Sequence, residues 1–457
     1  MSKTRKALFL GKWSIALATG LSLATVTLAA RADGLSELKA QIDSLQKKVV
    51  ELESAQKKAD EETRRSVVDL QSKAARSAPA DVVTAGATKG SFKLPGSDTS
   101  VEFGGYLKLD AIFSNKTTGV ASQGNQFLFP SLIPVGPTAN DNARSQTNWH
   151  ARQTRLFVRT ATPTSYGDLT TLVEGDFFGA DGNETSSNSN NFRIRHAWGT
   201  LGNLSVGQYW SNFVNEAAYP ETLDFGGPVG EIFVRQAQVR WTEKFSNGDW
   251  SVSLENPESL FAVPGSATLV RADRDQVPDI AGRVKLKIGA GNYTAQILAR
   301  NIRIDSAAPL AATDKKWGGA AAVTGVVPAF GKDDFRFDLN AGNVIGRYQE
   351  LGFFADGFVN ANRRIDLAKV VSGFAAYRHY WTPTLRSSLV LGGSRVNNPG
   401  GTFGGINRSA RSEHVNLIWS PVPSVNLGME FINAKRTVED GRQGNLNRLQ
   451  FSGQYSF

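Results

Sequence analysis

Arginine and lysine residues recur at alternate positions in several segments whose intervening residues are apolar. Successive side chains of an extended strand point to opposite faces, so each segment has a cationic face and an apolar face. Clustered cations attract carboxylates, and the fork of arginine grips them with two hydrogen bonds. The cationic faces carry Arg155, Arg159, Arg193, Arg195, Arg240, Arg283, Lys285, Lys287 and Arg336. The pattern favours binding of small anions, although these side chains could instead only pair with loop carboxylates.

One of these segments alternates less regularly than the others. Phe192, Ile194 and Trp198 define its apolar face, which places Arg193 and Arg195 on the cationic face. His196 has the same parity as the apolar residues, so it is the exception in this strand.

Catalytic and metal-binding patterns are weak. The four histidines, His150, His196, His379 and His414, do not form an HExxH pair, and the sequence has no GxSxG motif and no cysteine. We therefore predict no enzymatic activity, no metal site and no cofactor. A hydrolase that uses a lone serine and histidine is the remaining enzymatic alternative.

The segment Leu446–Phe457 shows which elements must carry the cationic faces. Its alternate residues are apolar on one side and polar on the other, ending in the pair Ser456 and Phe457. Polar side chains buried in a soluble core would lack hydrogen-bond partners, so this pattern is typical of a transmembrane β-barrel strand. Taken alone, it also fits a half-buried strand of a soluble sandwich.

The spacing of turns predicts the number of strands. After Val101, eight long polar segments alternate with seven short turns rich in Gly, Pro, Asn and Asp, which together connect sixteen strands. An even number of strands brings both ends of the barrel to the periplasmic side. We predict an all-β, 16-stranded antiparallel barrel, with fourteen or eighteen strands as alternatives.

The third long segment, Trp210–Gly230, contains Glu216, Glu221 and Asp224. If it folds into the barrel, these acids face the cationic wall and create a transverse field that orients polar solutes. The alternative is an ordinary surface loop.

The N-terminal part has a different organisation. Residues 1–32 combine a basic start, an apolar stretch and a small-residue cleavage site, which predicts a signal peptide, with an uncleaved anchor as the alternative. Its removal takes away five cations and no acid, so the formal charge of +9 falls to +4 and does not argue for a nucleic-acid partner.

Residues 33–76 predict a coiled coil before the barrel. Apolar residues recur at alternating spacings of three and four: Leu35, Leu38, Ile42, Leu45, Val49 and Leu52. Leu35, Ile42 and Val49 occupy the a positions and leucines occupy the d positions, and this choice mildly favours a dimer. A single amphipathic helix is the alternative. We assign residues 77–90 to a flexible linker and residues 91–457 to the barrel.

Several motifs in order along the chain resemble the DcaP-type outer-membrane porins. They are the segments beginning at Ser91 (SFKLPGSD), Phe103 (FGGYLKLDA), Thr162 (TPTSYGDL), Glu174 (EGDFFG), Arg195 (RHAWG), Gly207 (GQYWS) and Pro220 (PETLDFGGP). The resemblance implies a homotrimer of sixteen-stranded barrels in outer-membrane lipid, a periplasmic coiled coil, and diffusion of small anions such as dicarboxylates. Since the coil itself favours dimers, we expect barrel contacts to set the stoichiometry.

Together these features predict a passive outer-membrane porin. Its terminal Phe457, with other aromatic residues on the same face, resembles the signal read by the barrel-assembly machinery. The alternative function is a structural tether that joins the outer membrane to the cell wall through a closed barrel.

Overall fold

A computed structural model describes the chain as two compact units, residues 1–79 and 80–457. The described residues are 32–77, 83–118, 123–136, 144–179, 185–188, 190–272, 274–305, 309–310 and 312–457, with side chains of the first segment described for 44–69. Residues 1–31, which hold almost all of the predicted signal peptide, lie outside them.

The first unit contains one α-helix, α1, from Ala32 to Ser77. Leu45, Val49 and Leu52 of the predicted seam are exposed on it. The side chains of Leu35, Leu38 and Ile42 lie outside the described residues, and the coiled coil stays a prediction. Among the described residues, no helix has the length and hydropathy required to cross a bilayer.

The second unit is a closed antiparallel barrel. The described residues form sixteen barrel strands: β1 Ser100–Ser114, β2 Gln146–His150 continued by Arg155–Thr164, β3 Gly167–Asp176, β4 Arg193–Leu201, β5 Leu204–Trp210, β6 Arg235–Phe245, β7 Gly248–Glu255, β8 Asp279–Ile288, β9 Gly291–Asp305, β10 Thr313–Pro328, β11 Asp334–Gly342, β12 Lys369–Tyr380, β13 Leu385–Asn397, β14 Asn407–Trp419, β15 Val425–Val438 and β16 Gln443–Ser456. Closure removes the unpaired sheet edges that hydrocarbon cannot solvate.

The last strand closes the barrel against the first. Phe451 of β16 lies opposite Ala111 of β1, and the pairing runs to Ser456 opposite Tyr106. Phe451 is 42% exposed on the outside, whereas its neighbour Gln450 is 1% exposed. The predicted sixteen-stranded barrel, and the partnership of its two terminal strands, are confirmed.

A short hairpin precedes the barrel. Thr84–Ala85 pairs with Phe92–Lys93, which pairs in turn with the start of β1 at Ser100 and Val101. This hairpin attaches Thr84–Ala85, which lies within the predicted linker 77–90, to the barrel.

The strands are joined by short turns at one end and longer connections at the other. Two of the longer connections, the third loop (residues 211–234) and the sixth loop (residues 343–368), contribute much of an apolar cluster inside the barrel. Buried members of this cluster include Phe213, Val229, Ile232, Tyr348, Phe353 and Phe354. The two loops meet directly, because Ile232 and Gln349 form an isolated β-bridge.

The exceptional position of His196 has a structural cause. The register between β3 and β4 shifts, so that Glu174 pairs with His196 while Gly175 pairs with Ile194. This bulge inserts Arg195 as an extra residue and reverses the alternation beyond it. The His196 ring stacks on Tyr209 at 4.3 Å. The ring of Trp198 lies 5.4 Å from the Arg240 guanidinium, so the prediction that Trp198 faces lipid is wrong.

Candidate functional site

The predicted cationic residues lie on the inner side of their strands. In β8, Arg283 is buried, while its neighbour Val284 faces outward and is exposed. In β6, Arg240 is buried and Trp241 is exposed. Lys285 and Lys287 share the inward parity of Arg283, with Lys287 next to the end of the strand.

Three of the inward arginines converge on two carboxylates. Arg193 Nε donates to Asp176 at 2.7 Å, and Arg195 donates to Glu174 at 2.9 Å and to Asp176 at 2.8 Å. Arg155 lies 3.6 Å from Glu174. These cations are thus partly neutralised, by carboxylates of strand β3 and not by the loop carboxylates of the alternative interpretation.

A fourth arginine, Arg235, joins this group and was missed by the sequence pattern. Its guanidinium lies 5.1 Å from the ring centre of Trp210 and is close enough to Arg193 and Arg195 to repel them. No carboxylate of the described residues lies within the 4.0 Å ion-pair distance of Arg235. We call Arg155, Arg193, Arg195 and Arg235 the guanidinium cluster.

Aromatic rings surround the guanidinium cluster. Phe225 of the third loop lies 5.6 Å from the guanidinium of Arg193 and 5.7 Å from that of Arg195. The Phe225 ring stacks on Phe178 at 4.4 Å. Rings at these distances attract cations through their faces and exclude water from them.

A second set of cations lies along β6 and β8. Arg240 donates to the Trp210 carbonyl at 2.6 Å, and Arg283 donates to the Val214 carbonyl at 3.3 Å. Glu216 of the third loop is close enough to Arg240, Arg283 and Lys285 to interact electrostatically. We call Arg240, Arg283 and Lys285 the β6–β8 cations; none lies within 4.0 Å of a carboxylate of the described residues.

Two of the remaining three predicted cations, Arg336 and Arg159, are paired with carboxylates. Arg336 donates to Asp334 at 2.8 Å and to the third-loop carbonyl of Tyr219 at 2.8 Å. Arg159 lies 3.3 Å from Glu102. Arg336 therefore positions the third loop, and Arg159 joins β1 and β2.

Glu221 connects the third loop to the opposite wall. Arg386 of β13 donates to both of its carboxylate oxygens, at 2.6 and 2.7 Å, and Arg378 lies 3.4 Å away. Burial acts to raise the pKa of Glu221, but the hydrogen bond and charge of Arg386 outweigh it and hold the pKa below its ordinary value. Glu221 is thus kept ionised.

Asp224 occupies a different environment from the one predicted. It is buried, accepts hydrogen bonds from the backbone amides of Leu128 and Gly226, and lies 3.5 Å from Arg448 of β16. Burial raises the pKa of Asp224, with the charge of Arg448 acting against it. Asp224 fixes the third loop to Leu128, which lies in the connection between β1 and β2, and to β16. It does not face the predicted cationic wall.

Further contacts hold the tip of the third loop inside the barrel. The Leu223 carbonyl accepts hydrogen bonds from Lys108 Nζ at 2.6 Å and from Gln450 at 3.0 Å. The Leu223 amide donates to Glu430 at 2.7 Å. The loop therefore reaches from β5 and β6 to β1, β15 and β16. Sequence reasoning missed Lys108 and Glu430, whose inward parity was the available signal.

The side chains that could bind a metal ion were compared across the described residues. Among the residues that the structure describes, no group of three or more His, Asp and Glu side chains could hold a metal ion.

The family model described as DcaP outer membrane protein matches residues 32–258 and 298–457. The chain belongs to the DcaP outer membrane protein family. The outer membrane channel DcaP of Acinetobacter baumannii superimposes with a TM-score of 0.69, at 23% identity, over 82% of this chain and 100% of that one. A comparison with curated protein sequences gives no match.

Two structures of OmpT from Vibrio cholerae are more distant. The outer-membrane expressed form has a TM-score of 0.50 at 10% identity and covers 80% of this chain and 99% of its own. The in-vitro folded trimer form has a TM-score of 0.49 at 10% identity and covers 79% and 99%. Membership of the DcaP family makes this chain an outer-membrane protein.

Proposed function

We propose that the chain forms a passive diffusion channel for small hydrophilic solutes and prefers anions, dicarboxylates among them. The observation that carries this proposal is the guanidinium cluster. Among the described residues, its four cations have only Glu174 and Asp176 as carboxylate partners within ion-pair distance, which leaves a surplus of two positive charges. A cationic surplus against a low-dielectric wall raises the local concentration of anions.

The two groups of cations suit a solute with two charged ends. The guanidinium cluster lies on β2, β4 and β6, and the β6–β8 cations continue along the neighbouring wall. Guanidinium and ammonium groups replace part of the hydration shell of a carboxylate as it passes. Glu216, close to the second group, limits the residence time by competing for the same cations. No energy source enters this mechanism, because solutes move down their gradients.

The reversal potential of the purified channel in a potassium chloride gradient tests the proposal. We expect anion selectivity that decreases in Arg235→Gln and decreases further when Arg193→Ala and Arg195→Ala are added. Lys315→Gln is the matched control, because Lys315 is exposed with the same parity as the outward-facing Trp317 of β10. Selectivity should be unchanged in that variant.

Two outcomes would reject the proposal. Cation selectivity of the unmodified channel would rule out a functional surplus of cations. An absence of conductance and of liposome swelling for all solutes would instead favour a closed barrel that acts as a tether.

We also propose a homotrimer in which barrel contacts set the stoichiometry, with α1 in the periplasm. The exposed residues Leu45, Val49 and Leu52 support an interaction of α1 with further helices, since a free helix would leave this seam in water.

A further inference from the structure

Three cations lie side by side on the outer surface of the barrel. Arg395 of β13, Arg411 of β14 and Lys435 of β15 have the outward parity of Leu391, which is exposed on the same face. Arg411 lies directly opposite Lys435, while Arg395 lies opposite Ser409, one diagonal step from Arg411. These cations are separate from the solute pathway inside the barrel.

This arrangement leaves unneutralised charge. Like charges directly opposite each other in a ladder destabilise the strand pair. The nearest carboxylate, Glu413, lies 3.8 Å from Arg411. Among the described residues, no carboxylate lies within 4.0 Å of Arg395 or Lys435. An external anion would relieve the repulsion.

A surface groove of about 860 Å³ adjoins the cations. Its floor is recessed, because Gly373 of β12 and Gly393 of β13 face each other without side chains. Leu339 lies beyond Gly373, and Arg411 lies beyond Gly393. Other apolar lining residues are Phe337, Val371, Ala375 and Leu391. The groove thus combines an apolar floor with a cationic border.

The position of the cations along their strands matches the upper membrane interface. Arg411 is eight residues from the outward-facing Trp419 at the opposite end of β14. At about 3.4 Å per residue this is about 27 Å of strand. A strand tilt of about 40° reduces it to a height of about 20 Å, near the top of an apolar band about 25 Å tall. Long cationic side chains there can reach the headgroups.

Outward cations do not continue around the whole barrel at this end, although β10 and β12 each carry one, Lys315 and Lys369. Near the same end of the barrel, β1, β2 and β4 present the exposed apolar residues Phe113, Trp149 and Ile194. A general cationic rim would include those strands as well. The concentration of charge beside the groove instead indicates one amphipathic ligand.

We infer that this groove binds a phosphorylated lipid of the outer leaflet. A phosphate contacts Arg395, Arg411 and Lys435, and an acyl chain lies on the floor formed by Gly373 and Gly393. Phosphate suits the cations because its oxygens accept several charge-assisted hydrogen bonds at once. The acyl chain covers the apolar floor that the phosphate does not reach.

Native mass spectrometry of the full chain, purified in detergent, tests this site. The probes are bisphosphorylated lipid A and its dephosphorylated counterpart. We expect preferential binding of the phosphorylated form. Lys435→Gln should weaken that binding about fivefold, and the triple substitution of Arg395, Arg411 and Lys435 by Gln about a hundredfold. Lys315→Gln removes an outward cation elsewhere and should change nothing.

A second pair of variants tests the apolar floor without changing charge. A Cβ at Gly393 would meet its nearest heavy atom, the Ala410 oxygen, at 3.8 Å, so Gly393→Leu can fold and fill the groove. It should weaken binding of both lipids. Gly319→Leu on β10 is the control, with a nearest atom at 3.4 Å, and should bind as the unmodified chain does.

The inference is overturned if the unmodified chain binds both lipids equally, or if Lys435→Gln and Gly393→Leu bind as tightly as the controls. It is also overturned if the variants lose oligomeric mass while lipid binding is unchanged, because the groove is then a contact between copies of the chain. If the triple variant does not fold, Lys435→Gln and Gly393→Leu still test the inference.

Discussion

Arg386 on β13 holds Glu221 of the third loop through two hydrogen bonds, of 2.6 and 2.7 Å. The same carboxylate lies 3.4 Å from Arg378. The third loop is thus fixed to the wall opposite its own strands by a bidentate ion pair, the geometry in which arginine binds carboxylates most strongly. The pair also neutralises charge that would otherwise act on solutes.

Glu221→Gln is expected to increase anion selectivity, because Arg386 then loses its carboxylate partner and Arg378 keeps only Asp334. The matched substitution Arg386→Gln removes a cation and should shift the reversal potential in the opposite direction. We expect shifts of opposite sign in a salt gradient, with single-channel conductance recorded in parallel. Shifts of the same sign in both variants would mean that loop displacement, not charge, controls selectivity.

Glu350 links the sixth loop to the third. It accepts a hydrogen bond from the Gly230 amide and another from Ser394 Oγ at 3.3 Å. Burial raises the pKa of Glu350 to about 8, although both hydrogen bonds act to lower it. Burial, followed by the charges of Asp338 and Glu350, also raises the pKa of Glu231. At neutral pH, Glu350 is therefore mostly protonated.

The contact between the two loops should weaken with rising pH. Between the ordinary glutamate pKa of 4.5 and about 8, the unfolded chain has released a proton that folded Glu350 retains. The free energy of unfolding consequently falls as the pH rises over this window, and it levels off above it. Hydrogen exchange of residues 229–232, corrected for the intrinsic rate, should show protection at least about tenfold lower at pH 9 than at pH 5.

Glu350→Gln should abolish most of this pH dependence, because an amide cannot ionise. Glu439→Gln, which changes an acid in a different loop, serves as the control and should retain it. An unchanged pH dependence in Glu350→Gln would assign the titration to another group.

The sequence predicted the barrel well because the membrane imposes its alternation on every strand. Gln450 and Phe451, adjacent in β16, lie on opposite faces as expected. Alternation contains no information on hydrogen-bond register, so the bulge at Arg195 was visible only as the misplaced parity of His196. Arg235 has the parity of the outward-facing Val239, so the alternation also did not predict its place in the guanidinium cluster.

The inward sixth loop was harder to predict. Its signal was the apolar pair Phe353 and Phe354 within a long connection, both of which are buried. Loop conformation depends on contacts with distant residues, such as the 2.9 Å hydrogen bond from Tyr348 to Asp279. Such contacts between distant parts of the chain leave no periodic pattern in the sequence from which the loop conformation could be predicted.

Deletion of α1 tests which part of the chain sets the stoichiometry. The deletion should remove residues 33–77 and keep the hairpin that begins at Thr84, since that hairpin pairs with β1 through Phe92–Lys93. We expect the shortened protein to remain trimeric in sedimentation and native mass measurements. A barrel that becomes monomeric would assign the stoichiometry to the helix instead.

Phe457 pairs with β1 through its backbone. Its backbone exchanges hydrogen bonds with Gly105, at 3.1 and 3.3 Å, while its ring is exposed on the outer face. Because the ring contributes little to the interior, its deletion should leave the conductance of assembled channels unchanged. We expect the yield of assembled barrel in cells to fall severalfold if the terminal aromatic residue is read by the assembly machinery.

Phe457→Tyr keeps the aromatic ring and serves as the control, so it should assemble at close to the normal yield. Refolding of the deleted chain in detergent separates recognition from stability. Normal refolding with poor cellular assembly would identify a recognition defect. A normal cellular yield without Phe457 would show that the assembly machinery does not need this residue.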